Sequence, residues 1–118
     1  MSKSFRKIAK KLLQQAYERE QAKALESLGR GFDQWKSGEI DCWELTERIH
    51  QFHNGTSREL YKLYEMGDTK MTLARAIALD VIDEEEIPAS LRESMRQTIE
   101  YFRDTLAEDA QRPDEQTR

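Results

Sequence analysis

From Leu91 onward the residues Leu91, Met95, Ile99, Phe102 and Leu106 recur at steps of four, four, three and four. Such spacing gathers apolar side chains on one face only in a helix, whose 3.6-residue turn superposes i, i+3, i+4 and i+7. No stretch alternates apolar and polar residues at a period of two, and no internal repeat is present. The chain is therefore all-α, and the question is how it divides into helices. Asp41 followed three residues later by Glu44, and Thr56 followed three residues later by Glu59, both fit the capping box of a helix start. Asn54-Gly55 and Gly67 are residues that tolerate the left-handed conformation at helix ends. Asp68-Thr69 can cap a further helix, and Pro88 can occupy the first position of the last one.

These signals predict five helices, over about 4–28, 42–53, 57–66, 70–80 and 88–108. On the first, Phe5, Ile8, Ala9, Leu12, Leu13 and Ala16 share a face. Tyr17, Ala24, Leu25 and Leu28 centre about a third of a turn further round, so the helix bends or packs its two halves on different surfaces. Gly29 and Gly31 punctuate its end, leaving Phe32, Trp35 and Ile40 in a connector that caps the core. The second helix turns Cys42, Leu45, Ile49 and Phe52 inward. With only Asn54, Gly55 and Thr56 between them, the second and third helices form a hairpin or corner. The fourth carries Ala74, Ile77 and Ala78 and is the most central. Residues 109–118 contain no bulky apolar side chain and include Pro113, which predicts a disordered polar tail. The expected architecture is a single compact all-α domain over 1–108, an irregular or orthogonal bundle with short connections.

A chain of 118 residues needs no second domain to bury a core. Cys42 is the only cysteine, which excludes an internal disulfide and agrees with a reducing, cytoplasmic setting. No run approaches the ~20 apolar residues of a membrane span, so no membrane partner is expected. The net charge of −4 conceals an asymmetry. Residues 1–30 hold eight Lys or Arg against three Glu, and 31–118 hold eleven against twenty acids, about +5 and −9.

Motifs for chemistry are sparse. Glu47 precedes His50 by three residues, giving one Glu-x-x-His element, but a carboxylate-bridged di-metal bundle needs two such elements. Neither metal nor cofactor is expected, and His50 and His53 read as residues of a helix end, where their partial charge complements the dipole. Gly29-x-Gly31 lacks the strand and the third glycine of a phosphate loop. The segment Arg48-Ile-His-Gln-Phe-His53 resembles the active motif of the HEPN ribonucleases, small all-α domains that dimerise and cleave RNA without metal. That resemblance implies His53 as general acid or base and Arg48 as the stabiliser of phosphate charge. Ile49 stands where that family's pattern carries a polar residue.

Two other readings concern surfaces. Trp43 and His50 lie on the side of the second helix away from Leu45, and an exposed tryptophan among polar groups is a common interface anchor. Arg58 and Tyr61 would extend that surface, while Phe5 and Leu12 mark a second one on the first helix. The basic first helix also admits nucleic acid as a partner. The reading that gathers most of these features is a cytoplasmic, self-associating, non-enzymatic module binding itself or another protein. HEPN-like cleavage through Arg48 and His53, and nucleic-acid binding, are the alternatives.

Overall fold

The computed structural model describes residues 3–111, and every regular element among them is helical. Helix α1 runs uninterrupted over Lys3–Lys36. At about 1.5 Å per residue it is about 51 Å long, nearly the 53 Å length of the whole molecule. Helix α2 (Cys42–Gln51) passes through a π-helical segment, Phe52–Ser57, into α3 (Arg58–Met66). Helix α4 (Thr69–Ala78), a 3₁₀ turn at Glu84–Glu86, and α5 (Ala89–Gln111) complete the described residues; α5 continues through 109–111 of the segment expected as a disordered tail, and the rest of that segment, 112–118, lies outside the described residues.

Two expected boundaries are absent. Gly29 and Gly31 do not end α1, which continues to a turn at Ser37-Gly38. There Gly38, at φ 83°, donates its N–H to Trp35 O at 3.1 Å and Glu39 donates to Gln34 O at 2.8 Å, a glycine-dependent C-cap. Phe32 and Trp35 therefore ride on the helix, exposed, and do not cap the core. Asn54-Gly55 likewise makes no corner. Positive φ among the described residues is confined to Gly38 and Asp80, and no side-chain cap forms at the start of α3. The chain takes up the polar segment as a π turn, so α2 and α3 form one rod and the five α-helices make four rods. A π turn holds more residues than an α turn and so rephases the helix downstream of it.

Other signals act as the sequence suggests. Asp41 accepts from Glu44 N at 2.8 Å at the start of α2, and Asp68 accepts from Met71 N at 2.9 Å at the start of α4. Helix α4 ends with Asp80 at φ 60° and Val81 N–H bonded to Ala76 O at 2.9 Å. Gly67, between α3 and α4, has φ −80°, so it is required for space and not for handedness. A Cβ there would stand 2.3 Å from Leu63 O.

The main core lies at one end of the molecule. Ala9, Leu12 and Ala16 of α1 meet Leu73, Ala74 and Ile77 of α4 and Leu91, Met95 and Ile99 of α5, with Ile82 and Ile87 closing the loop between. Helix α4 is central, touching α1, α3 and α5. The α2–α3 rod runs antiparallel to α1. Tyr17 stacks on Tyr64 with ring centroids 5.0 Å apart, Gln21 Nε2 donates to Ser57 Oγ at 3.3 Å, and Gly31 faces Leu45. The displaced stripe of α1 thus serves a second packing partner. Beyond the core these two rods project as a two-helix arm in which, from Ala24 to Phe52, only Gly31 and Leu45 are buried.

Candidate interaction surface

The arm has two unlike sides. One is an open cleft of about 970 Å³ between α1 and the α2–α3 rod, lined among others by Lys23, Arg30, Arg48, Phe52, Leu60 and Arg75. At its inner end the Glu20 carboxylate accepts from Arg75 at 3.1 and 3.4 Å and from the Tyr64 hydroxyl. One side chain of α1 therefore ties α3 and α4 together. Burial first, and the hydrogen bond to Glu20 second, push the Tyr64 phenol above its usual range. Further out, Arg48 Nη1 donates to Gln34 Oε1 at 2.5 Å and its Nε to Glu44 at 3.3 Å, which staples α2 to α1.

The opposite side follows from helix phase. Gly31 and Leu45 face each other, and residues advance about 100° around each helix. Measured from these two, Leu25, Phe32 and Trp35 of α1 turn to the same side as Cys42, Trp43, Thr46, Ile49 and His50 of α2, because the helices are antiparallel. Every Lys, Arg, Asp and Glu from Lys23 to Asp33, and from Glu44 to Arg48, turns the other way. In a chain that is 36% charged, this side carries no formal charge between the base of the arm and Lys36 at its tip. It is also open: Leu25 is 50%, Trp35 42% and Trp43 77% exposed, and Phe32 and Ile49 are partly so.

The chain matches no known family model, no curated protein and no solved structure.

Of the residues singled out from sequence, Trp43, His50, Arg58 and Tyr61 are exposed. Leu12 is not available as a surface, being buried in the main core, and Phe5 packs against the same cluster. Their stripe packs on α4 and into the cluster that α4 and α5 build together. Cys42, expected on the core face, is exposed at the start of α2, because α1 alone covers α2 and reaches only Leu45. The structure does not bring Arg48 and His53 together in the cleft: Arg48 lines it, held by Gln34 and Glu44, while His53 sits exposed in the π segment and is not part of the lining. Among the described residues no three His, Cys, Asp or Glu side chains are grouped to hold a metal ion, and no helix is long and apolar enough to cross a membrane. Sequence reasoning missed Phe32 and Trp35 as surface residues. Carrying the 100° phase of α1 through its glycines would have placed them beside Leu25.

Proposed function

We propose that the protein is a helical protein–protein interaction module that self-associates through the uncharged side of its two-helix arm. The observation that supports this is the segregation of formal charge to the other side from Lys23 to Asp33 and from Glu44 to Arg48. Two helices packed on each other bury only one seam, and the apolar residues flanking it stay in water until further helices cover them. A second copy supplies the same two stripes, and packing arm on arm about a two-fold axis would give Trp35, Phe32 and Ile49 a four-helix core. A self-complementary patch of this kind is the ordinary basis of a closed dimer. Aromatic residues at the centre of such a patch are the usual anchors. The commitment of Arg48 to Gln34 and Glu44 favours this binding role over a nuclease role for the same helix. A reducing cytoplasm suits the solitary, exposed Cys42.

Light scattering coupled to size exclusion tests the reading. Wild type is expected to elute as a dimer whose mass is insensitive to salt, and Phe32→Asp or Trp43→Ala to shift it toward monomer with helicity unchanged. A wild-type mass equal to one chain at every concentration would remove self-association.

A further inference from the structure

Away from the arm, the outer face of the first three turns of α1 carries Lys3, Arg6, Lys7, Lys10 and Lys11, all exposed. Leu12 and Ala16 mark the buried side of this segment. At about 100° per residue Lys3, Lys7 and Lys10 fall opposite them, with Arg6 on one flank and Lys11 on the other. None of the five is ion-paired among the described residues. Of the eight arginines from Arg19 to Arg103, five (Arg19, Arg48, Arg75, Arg96 and Arg103) lie within 4 Å of a carboxylate. The sequence offers no acid before Glu18.

This arrangement works against the helix that carries it. Lys3 and Lys7, Lys7 and Lys11, and Arg6 and Lys10 are like charges at i, i+4, each such pair destabilising a helix. The cations also crowd the end where the macrodipole is already positive, with no acid in the first turn to offset it. A cationic strip with no internal partner is suited to an external polyanion.

We infer that this strip is a docking site for the phosphate backbone of duplex nucleic acid, bound without base readout. The choice among polyanions rests on the other face of the helix. An amphipathic helix that lies in a membrane surface sinks its apolar face into the lipid, whereas here Ala9, Leu12 and Ala16 are committed to the core. Stacking on unpaired bases needs exposed aromatics, and Phe5, the aromatic of this segment, packs against the core. What remains is positive charge at steps of about 6 Å along the axis, from Lys3 to Lys7 to Lys11, spread over about 12 Å of a backbone with one phosphate per ~3.4 Å of each strand. This inference does not depend on the proposed self-association.

The test is fluorescence anisotropy of a labelled mixed-sequence DNA duplex with wild type and with Lys7→Gln/Lys10→Gln, whose folding is checked by circular dichroism. Five phosphate contacts would give a slope of log K against log salt as steep as about −4.5, or about 500-fold weaker binding between about 50 and 200 mM salt. The double variant is expected to flatten that slope by about 2, and binding should be indifferent to duplex sequence. No binding at the lower salt, or equal binding by the double variant, overturns the site. Tight binding to phosphatidylserine vesicles with none to the duplex assigns the strip to lipid and overturns it equally. Lys62→Gln, which removes an exposed lysine of α3 outside the strip, serves as the control that should leave the slope unchanged.

Discussion

Replacing Glu20 with Gln removes a charge from the junction of three helices while keeping its shape. The carboxylate is 16% exposed and faces an Arg75 side chain that is 28% exposed. It accepts one bond from Tyr64 and two from Arg75, the longer of which, at 3.4 Å, is weak. A hydrogen bond to a charged group contributes about 1.5–3 kcal/mol. Both shorter bonds fall on Oε2, so an amide with its oxygen there still accepts them but without charge assistance, about 1 kcal/mol less for each, and its nitrogen faces Arg75 Nη2 in place of the weak bond. Discounted for partial solvent access, the expected loss is about 2–3 kcal/mol. With an unfolding entropy of about 2.1 cal/mol/K per residue over this chain, Tm should fall by about 8–12 °C. Calorimetry on wild type, Glu20→Gln, Tyr64→Phe and the double variant reads both the loss and the coupling, which should exceed ~0.5 kcal/mol. A Tm within about 2 °C of wild type would correspond to ~0.5 kcal/mol and would show that the three helices are joined by packing alone.

Two further outcomes follow from other joints. Glu86 is held down to about 2, from an ordinary 4.5, by hydrogen bonds from Arg19 and from the Asp83 amide. Its contribution is therefore complete above pH 4.5 and is lost as pH falls toward 2, and Glu86→Gln should flatten the acid limb of stability over that window in urea titrations. Glycine substitutions should split by site: at Gly29, helical and with nothing within 4 Å of an added Cβ, alanine should stabilise by up to about 1 kcal/mol. At Gly67, where the Cβ would meet Leu63 O at 2.3 Å, it should cost about 1–3 kcal/mol. Paired chemical denaturation of the two variants checks both signs.

The parts of this fold that were legible in the sequence are those decided locally. The caps at Asp41 and Asp68 and the amphipathic run from Leu91 to Phe102 depend on residues within a turn or two of each other. The parts that were not legible depend on a distant neighbour. Gly31 reads as a stop signal because its intrinsic cost in a helix is about 1 kcal/mol. In the fold its missing side chain lets Leu45 and Arg48 come within 3.5 Å of where a Cβ would be, which is information about packing. Asn54-Gly55 reads as a corner, but the long antiparallel partner keeps the rod straight and the local preference is spent in a π turn. The same early stop hid the uncharged face of the arm, since ending α1 early detached Phe32 and Trp35 from the phase that aligns them with Leu25. Trp43 was legible because α2 is short and its two faces are unambiguous.

The uneven placement of the core also sets how the molecule moves. Local opening is easiest where few apolar contacts must be broken, and the arm beyond Ala24 has Gly31 and Leu45 as its buried residues while the other end has the whole cluster around α4. Amide hydrogens near the tip should exchange through fraying of the helix pair, while those of α4 wait for global unfolding. A partner that covers the arm would have to quiet this breathing before it gains affinity. The tip is thus the segment expected to open first, anchored to a base expected to open last.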